Sequence, residues 1–290
     1  MLRSARKTWL IVTAIVLVVL GVGIFVALSK RPAPVEVKQT SEPTHALVGT
    51  SVQGRTIDAY TYGNGGTSLL FVGGMHGGYE WNSVLLAYIF MDYLEAHPEL
   101  IPTSTSIIVI PSENPDGVYK AIGKEGRFDI TDVPKNISLA SARFNAHAVD
   151  LNRNFDCNWE PKGVWQGKTV SAGTAPFSEP ETKALRDFIF KTHPSAAIFW
   201  HSQANAVYAS ECNTGIIPET LDIMNAYAHA AGYPAVKSFD SYKVTGDSEG
   251  WLASIGIPAI TVELKTHDTI EWERNLLGIK AVLEYYGGKL

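Results

Sequence analysis

The seven residues AAIFWHS, at positions 196–202, are apolar until they reach a histidine near the end of the run. Continuous apolar runs of this length are typical of strands that are buried on both faces of a sheet. Three further runs have the same character: SLLFVGG at 68–74, TSIIVIPS at 105–112 and PAITVEL at 258–264. We therefore predict four buried strands, each with polar side chains at or just after its carboxyl end.

Helical patterns separate these strands and cover residues 81–96, 178–193, 218–231 and 270–286. Ser178 and Glu181 have the spacing of a capping box at the start of the second helix. The segment NPDG at 114–117 predicts a turn after one of the strands. Apolar strands that alternate with helices indicate an α/β fold with a largely parallel sheet covered on both faces.

Charge is unevenly distributed along the 290 residues, which carry 24 basic and 29 acidic side chains and a net charge of −5. Residues 1–31 hold five of the bases and no acid, which leaves a net charge of −10 on the remainder. A nucleic-acid partner is not expected, because phosphate contact needs a basic face. Two cysteines are too few for a disulfide scaffold or a multi-cysteine zinc site.

Residues 8–29 contain no charged side chain and are long enough to cross a bilayer as a helix. We predict four segments: a basic cytoplasmic tail at 1–8, a transmembrane anchor at 9–29, a Pro-rich linker at 30–46 and one domain at 47–290. This organisation predicts a single-pass protein of the cell membrane whose domain lies outside the cytoplasm. The alternative is secretion after signal-peptide cleavage, because ALS at the end of the span has the small-x-small spacing of a cleavage site.

Acidic and imidazole side chains lie at the ends of three predicted strands. His76 and Glu80 follow the strand at 68–74. His201 closes the run AAIFWH, and Glu263 closes the run AITVE. We expect these side chains to lie close together, because ligands in such sheets bind outside the carboxyl ends of the strands. Two imidazoles and a carboxylate form a common catalytic zinc site, and a further carboxylate can act as the general base.

The segment AVDLNRNFDCNW, at 148–159, places Asn152 and Arg153 side by side in an Asn-rich turn. A guanidinium group binds a carboxylate through two parallel hydrogen bonds, so this pair is a candidate for holding an anionic end of a substrate. The alternative is a structural turn with a surface arginine, and the segment alone leaves both interpretations open.

Seven segments together resemble the zinc carboxypeptidases of the pancreatic carboxypeptidase A and B type. They follow the order and rough spacing of that family: GGMHGGYEW, NPDGVY, ARFNAHAVDLNRNF, SEPETKAL, WHSQ, YKVTGDSEGW and AITVEL. The resemblance spans residues 48–289 and implies a mixed, mostly parallel twisted sheet of about eight strands with helices on both faces. Together with the apolar span at 9–29, it predicts a membrane-anchored, bacterial member of the family in which one N-terminal transmembrane helix precedes the sheet.

The resemblance also implies how the reaction is catalysed. His76, Glu80 and His201 match the ligands of one Zn²⁺ per chain. Glu263 matches the general base that activates the zinc-bound water, and Arg143 matches the arginine that polarises the scissile carbonyl.

Four further positions match residues around the substrate. Asn152 and Arg153 match the pair that holds the terminal carboxylate, and Asp150 matches the carboxylate that orients the first histidine ligand. Tyr242 matches the mobile tyrosine that closes over the substrate. The remaining histidines, including His267, are interpreted as incidental to the site.

The chain departs from the family pattern in its first motif. The family spaces histidine and glutamate by three positions, whereas His76 and Glu80 are four apart. The two intervening glycines can loop out the extra residue. Tyr79 replaces a substrate-binding arginine of many relatives, so one contact to the peptide is expected to be lost.

Glu249, seven residues after Tyr242, stands where family members that prefer basic C-terminal residues have an acid. A buried carboxylate there predicts a preference for Lys, Arg or a diaminopimelate-like residue. The alternative is an exposed charge in a turn. Cys157 and Cys212 lie near the predicted site, and a disulfide between them is expected outside the cytoplasm, with two buried thiols as the alternative.

The predicted function is zinc-dependent hydrolysis of the C-terminal peptide bond of peptides or proteins by a monomeric enzyme. One alternative is a peptidase of the same fold that acts on the stem peptides of peptidoglycan. A second alternative, from a different class, is a catalytically inactive ectodomain that binds peptides.

Overall fold

The computed structural model describes residues 42–288, except for 136–139 and 214. The predicted tail at 1–8 and the predicted anchor at 9–29 lie outside these residues. Within the part of the chain that the structure describes, no helix has both the length and the apolar character needed to cross a membrane.

Ten strands and six helices form the described part of the chain. The strands are β1 Thr44–Thr50, β2 Thr56–Gly63, β3 Thr67–Val72, β4 Thr105–Ile110, β5 Lys162–Trp165, β6 Lys168–Ser171, β7 Ala196–Ser202, β8 Ala206–Ala209, β9 Ala235–Val236 and β10 Ala259–Leu264. The helices are α1 Trp81–Ala96, α2 Pro115–Ile122, α3 Pro180–Thr192, α4 Pro218–Ala231, α5 Ser248–Ser254 and α6 Trp272–Gly287.

Eight of the strands form one mixed sheet in the order β1-β2-β4-β3-β7-β10-β8-β9, and β5 pairs with β6 in a separate antiparallel hairpin. The central strands β4, β3, β7 and β10 run parallel to one another. Antiparallel pairs join β1, β2 and β8 to the sheet, and β9 lies parallel to β8. The predicted α/β class and the mixed eight-stranded sheet are confirmed, with the parallel block at the centre.

Helices cover both faces of the sheet, because successive side chains of a strand point to opposite faces. On one face, Phe71 of β3 and Trp200 of β7 pack in the same apolar cluster as residues of α1, α4 and α6. On the other face, Leu70 and Phe199 of the same strands pack with residues of α3 and α5. All four of these strand side chains are fully buried. The prediction of helices on both faces is therefore confirmed.

The parallel centre of the sheet brings three strand ends to one edge. In the pairing of β10 with β7, Glu263 lies directly opposite His201. In the pairing of β3 with β7, Val72 at the end of β3 lies opposite Phe199, two residues before that histidine. The polar residues that follow β3, β7 and β10 are therefore neighbours in space.

The predicted capping box is wrong. α3 begins at Pro180, so Glu179 rather than Ser178 occupies the N-cap position. The Ser178 hydroxyl instead donates to Oε1 of Glu179, and Glu181 accepts a hydrogen bond from the backbone N–H of Val52. The proline determines where the helix starts, because its fixed φ suits the first helical position.

Two other local predictions also differ from the structure. The NPDG segment begins a helix rather than forming an isolated turn, since Asn114 Oδ1 accepts a 2.9 Å hydrogen bond from the backbone N–H of Gly117 at the start of α2. β1 begins at Thr44, which pairs with Thr61 of β2. The last three residues of the predicted linker at 30–46 therefore belong to the sheet.

Candidate active site

A glycine turn carries the first two candidate metal ligands. His76 precedes a short 3₁₀ turn, Gly77–Glu80, that leads directly into α1. Gly77 has φ +49°, and a Cβ there would lie 2.7 Å from the carbonyl oxygen of Ala142. A Cβ on Gly78 would lie 2.0 Å from the Cβ of Ala121. Only glycines fit this close approach, and they accommodate the extra residue between histidine and glutamate as predicted.

His76, Glu80 and His201 come together as a buried cluster. Each offers one ligand atom, and these atoms all lie within 4.8 Å of one another. Nδ1 of His201 lies 3.0 Å from Oε2 of Glu80, and the two imidazole rings are 4.9 Å apart between centroids. Two imidazole nitrogens and one carboxylate oxygen are a donor set typical of zinc, with a further position left for water or substrate.

The electrostatics of the cluster also suit a cation. Burial lowers the pKa of His76 well below its ordinary value, and the positive charge of Arg143 lowers it further, so this ring is neutral. Burial also lowers the pKa of His201, but the carboxylates of Glu80 and Glu249 outweigh that effect and raise it well above its ordinary value. The carboxylates around His201 therefore favour a positive charge at this position. A bound zinc ion would supply that charge, so the residues present fit this metal.

Asp150 links the cluster to the predicted oxyanion-stabilising arginine. Oδ1 of Asp150 lies 3.5 Å from Nδ1 of His76, and neither atom has another hydrogen-bond partner among the described residues. Oδ2 of Asp150 accepts a 2.9 Å hydrogen bond from Nε of Arg143. Nη1 of Arg143 lies 3.7 Å from Oε1 of Glu80, so the guanidinium group is held beside the metal cluster.

Glu263 lies near the end of β10, directly across from His201. Its Oε2 accepts a 3.0 Å hydrogen bond from the backbone N–H of Ala204. Burial raises the pKa of Glu263 to about 7, and the negative charge of Glu80 contributes to the increase. A carboxylate whose pKa lies near neutrality is suited to accept and return a proton at physiological pH.

Asn152 and Arg153 lie in a 3₁₀ turn, Leu151–Arg153, and face the same cavity as the metal cluster. Oδ1 of Asn152 accepts a 2.8 Å hydrogen bond from the backbone N–H of Ser248. Nη2 of Arg153 donates to the carbonyl of Val164 at 3.1 Å, whereas its Nε has no partner among the described residues. The structure thus excludes the alternative of a surface arginine, because Arg153 is buried.

The cavity has a volume of about 630 Å³. Nine of the ten predicted site residues line it, namely His76, Glu80, Arg143, Asn152, Arg153, His201, Tyr242, Glu249 and Glu263. Asp150, the tenth, is fully buried behind His76. The ring of Tyr242 packs on Phe239 at 4.8 Å and lies 5.9 Å from the guanidinium carbon of Arg153.

Glu249 is buried, with 2% of its surface exposed, so the alternative of an exposed turn charge is wrong. Although burial opposes ionisation, its contact with His201 lowers the pKa of Glu249. Burial and the charge of Glu249 raise the pKa of Asp247, a second acid that lines the cavity. The two residues belong to the turn that begins α5.

The residues that line the cavity without having been predicted from the sequence include Trp165, Asp247 and His267. Nδ1 of His267 lies 2.6 Å from the hydroxyl of Ser202, and its ring contacts that of Tyr79 at 4.5 Å. The guanidinium carbon of Arg143 lies 4.8 Å from the ring of Trp165. His267 therefore lies at the cavity, although it was not predicted there from the sequence. Its place three residues after β10 is the same strand-end signal that identified Glu263.

Cys157 and Cys212 form a disulfide across the edge of the site, so the predicted bond is confirmed and the alternative of two free thiols is wrong. The carbonyl of Cys157 accepts a 2.8 Å hydrogen bond from the backbone N–H of Gly246, just before the two acids of the cavity. The bond therefore joins the segment that carries Asn152 and Arg153 to the segment of Cys212, whose neighbours Ser210 and Glu211 line the cavity.

Comparisons with known proteins agree with this geometry. The chain is 25% identical over 241 residues to gamma-D-glutamyl-L-diamino acid endopeptidase 1 of Lysinibacillus sphaericus, covering 75% of this chain and 59% of that protein. It is 33% identical over 137 residues to carboxypeptidase O of Bos taurus, covering 42% of this chain and 36% of that protein. The chain thus spans less than two thirds of the length of either curated relative.

The fold matches the crystal structure of murein-tripeptide amidase MpaA from Escherichia coli O157 with a TM-score of 0.62 and 22% identity, covering 88% of this chain and 97% of that one. The sequence model of the family Peptidase M14, zinc carboxypeptidase, matches residues 37–272. This family consists of hydrolases that use zinc, and its model covers all the residues that line the cavity. The chain therefore belongs to the M14 family of zinc carboxypeptidases.

Proposed function

We propose that this chain hydrolyses the C-terminal peptide bond of peptides. The main support for the proposal is a single cavity that holds the candidate metal ligands, the half-buried candidate base Glu263 and the guanidinium of Arg153. An enzyme that removes only the last residue must bind a free carboxylate and cleave the adjacent bond in the same site. The arrangement meets both requirements.

Arg153 and Asn152 would bind the terminal carboxylate of the peptide. Nε of Arg153 has no partner among the described residues, and the guanidinium group can offer parallel N–H donors to a carboxylate. The backbone N–H of Ser248 donates to the side chain of Asn152, so that side chain is preorganised beside the arginine. Binding of the terminal carboxylate at this position would determine which bond is cleaved, since it leaves the preceding peptide bond next to the metal cluster.

The proton transfers would be carried out by Glu263, and the developing charge would be stabilised by Arg143. His76, Glu80 and His201 would hold the zinc ion, which would supply a Lewis acid near the scissile bond at pH 7. Glu263 accepts the proton of the attacking water and delivers it to the leaving amine. Arg143, held in place by Asp150, donates to the carbonyl oxygen as negative charge develops there.

We further propose a preference for substrates with a basic C-terminal residue. Asp247 and Glu249 place two carboxyl groups in the cavity that also contains Arg153. An ammonium or guanidinium group of the substrate would be attracted by these acids, whereas a leucine side chain would gain nothing from them. The position of Glu249, seven residues after Tyr242, is the sequence feature that led to this hypothesis.

A second candidate function is cleavage of cell-wall stem peptides. One relative is named for a γ-D-glutamyl-L-diamino acid bond, and one protein of the same fold is named a murein-tripeptide amidase. A diamino acid carries both an ammonium and a carboxylate, and the cavity offers acids for the first and Arg153 for the second. The inactive peptide-binding ectodomain is a weaker alternative, because the candidate ligands, base and arginines lie in one cavity.

The location of the enzyme also belongs to this proposal. We propose that the uncharged residues 9–29 anchor the chain in the cell membrane and that the domain acts outside the cytoplasm as a monomer. The disulfide between Cys157 and Cys212 supports an oxidising compartment. Secretion after cleavage remains the alternative, and N-terminal sequencing of the mature protein from membrane and medium fractions distinguishes the two.

The test is a panel of peptides that differ only in the C-terminal residue: leucine, lysine, lysine amide and a stem peptide that ends in diaminopimelate. We expect hydrolysis of the free-acid peptides, faster for lysine than for leucine, and loss of activity with a zinc chelator. The amide should be a poor substrate because it lacks the carboxylate. Equal rates for lysine and leucine would contradict the basic preference, and exclusive cleavage of the stem peptide would favour the second function.

The substitution Glu263→Gln tests whether Glu263 is the general base. It keeps the shape of the side chain and removes the base, so we expect a rate loss of about 10²–10⁴. Zinc content should stay near one per chain, because Glu263 is outside the ligand cluster. A Gln variant with full activity would show that Glu263 is not the base.

A further inference from the structure

The two ring nitrogens of His201 face two different carboxylates. Nδ1 lies 3.0 Å from Oε2 of Glu80, the candidate metal ligand, and Nε2 lies 3.3 Å from Oε1 of Glu249. Nε2 is buried and has no other partner among the described residues. A metal ion on the Glu80 side would occupy Nδ1, which leaves Nε2 to donate its proton to Glu249.

Glu249 is held firmly in this position. The hydroxyl of Ser248 donates to its Oε2 at 2.7 Å, and the hydroxyl of Thr261 donates to its Oε1 at 2.9 Å. Thr261 belongs to β10 and pairs with Phe199 of β7, the strand that also carries His201. The carboxylate is therefore supported from two elements and cannot turn freely towards a substrate in the cavity.

The other histidine of the cluster has a similar arrangement. Nδ1 of His76 lies 3.5 Å from Oδ1 of Asp150. A carboxylate that accepts the outer N–H of a metal-binding histidine sets its tautomer, orients its ring and increases its basicity. Each imidazole of the cluster thus has its own supporting carboxylate, one from the segment before the substrate-binding pair and one from α5.

We propose that Glu249 is a positioning residue for the metal site, holding His201 in the tautomer and orientation that direct Nδ1 towards the metal. The inference rests on the zinc-dependent activity proposed above. It changes which acid is expected to contact a basic substrate. Because both oxygens of Glu249 accept hydrogen bonds within the protein, direct contact with a basic substrate falls to Asp247. Asp247 lines the same cavity and makes no ion pair with His201 among the described residues.

The test measures metal binding rather than turnover. Zn²⁺ dissociation constants of the disulfide-intact chain are obtained by competition with a chromophoric chelator, and the visible spectrum of the Co²⁺-loaded protein reports the ligand geometry. For Glu249→Met, which removes the acceptor and keeps an apolar side chain of similar length, we expect Zn²⁺ affinity to fall about 10- to 100-fold. Glu249→Gln retains one acceptor oxygen and should restore part of the affinity.

Asp247→Asn is the matched control. It removes a neighbouring acid of the same cavity and retains the side-chain oxygen that caps α5, so Zn²⁺ affinity and the Co²⁺ spectrum should not change. Asp247→Asn should instead lower the ratio of the cleavage rate of the lysine peptide to that of the leucine peptide. This contrast separates the positioning role from the substrate preference.

A Glu249→Met variant that is folded by circular dichroism and binds Zn²⁺ as tightly as the wild type would overturn the inference. If that variant does not fold, Glu249→Gln provides the test. An unchanged Zn²⁺ affinity of Glu249→Gln together with an unchanged Co²⁺ spectrum would reject the positioning role. The metal-binding measurement is independent of the peptide panel. Absence of peptidase activity in the wild type would therefore count against the proposed function alone.

Discussion

Nε of Arg143 donates a 2.9 Å hydrogen bond to Oδ2 of Asp150, seven residues further along the chain. The other oxygen of the same carboxylate lies 3.5 Å from Nδ1 of His76. One fully buried acid therefore contacts both a candidate metal ligand and the arginine that would stabilise the oxyanion. The positions of these two groups are coupled, so a change at Asp150 should affect both.

Replacing Asp150 with Asn should weaken zinc binding and slow the reaction. The amide keeps the size of the side chain but leaves Arg143 without its closest charged partner, and it supports His76 less strongly. We expect Zn²⁺ affinity to fall about 10- to 100-fold, with kcat reduced even at saturating zinc. Competition with a chelator and steady-state kinetics measure the two effects. A variant with normal zinc affinity and normal kcat would contradict the coupling.

Replacing Arg153 with Lys should mainly weaken substrate binding. Lysine retains the charge but cannot form two parallel hydrogen bonds to a carboxylate. We expect kcat/KM for free-acid peptides to fall about 10- to 100-fold, corresponding to roughly 1.5–3 kcal/mol of lost charged hydrogen bonding. The amidated peptide is the control, because it has no carboxylate to bind. An equal loss on both substrates would argue against a carboxylate-binding role.

Glu263 should control the acid side of the pH profile. Burial, reinforced by the charge of Glu80, raises the pKa of Glu263 to about 7 in the metal-free protein. A bound cation favours the ionised carboxylate, so in the zinc-loaded enzyme the pKa should lie below that value. Since the base must be deprotonated, kcat/KM should rise with pH and then level off. The residual activity of Glu263→Gln should lack this rise, and an unchanged profile would implicate another group.

Glu113 should make the protein less stable as the pH rises. It is fully buried, and neither of its carboxylate oxygens has a hydrogen-bond partner among the described residues. Burial, and to a smaller extent the charge of Glu181, raises the pKa of Glu113 well above 4.5. An acid with a higher pKa in the folded state binds its proton more tightly there, so stability is lost as pH increases beyond the unfolded value.

Glu113→Gln removes this dependence. The variant should match the wild type near pH 4 and be more stable by on the order of 1–3 kcal/mol near pH 8. Urea unfolding at the two pH values provides the measurement. The exposed substitution Glu284→Gln is the control and should have little effect at either pH. A Glu113→Gln variant that is less stable than the wild type at pH 8 would contradict the prediction.

Removing the disulfide should destabilise the domain. Cys157 and Cys212 are separated by 55 residues, and a loop of this length gives a chain-entropy contribution of about 4 kcal/mol. The double substitution to Ala should lower the free energy of unfolding by roughly 2–4 kcal/mol. Urea unfolding of the oxidised wild type, the reduced wild type and the variant measures the effect. Equal stability of all three forms would show that the bond adds nothing.

The sequence was sufficient to predict the central strands and most of the site. The apolar runs that became β3, β4, β7 and β10 are local signals, and a parallel sheet brings their carboxyl ends to one edge. His201 and Glu263 were therefore expected to be neighbours before their register was known. The short, partly exposed strands were not predicted, because four residues such as KTVS in β6, with a single apolar side chain, are too few for a distinct periodicity.

The sequence did not predict residues whose contacts are made with distant parts of the chain. His267 follows the end of β10, the strand that carries Glu263, but a single histidine after a strand has many structural uses. Trp165 belongs to a short hairpin whose packing against Arg143 cannot be inferred from its neighbours in sequence. The capping-box error has a similar origin, since the N–H of Val52 and the side chain of Asn145 engage Glu181.

By itself, the sequence determined the fold class, the candidate zinc ligands and the base, because strand periodicity and strand-end residues depend on neighbours along the chain. Only the tertiary structure decided the position of Glu249, which the sequence allowed either as an exposed turn charge or as a buried acid. Its contact with His201 joins residues 48 positions apart in the sequence and depends on how α5 packs against β10. The supporting contacts of the site are thus a property of packing between elements.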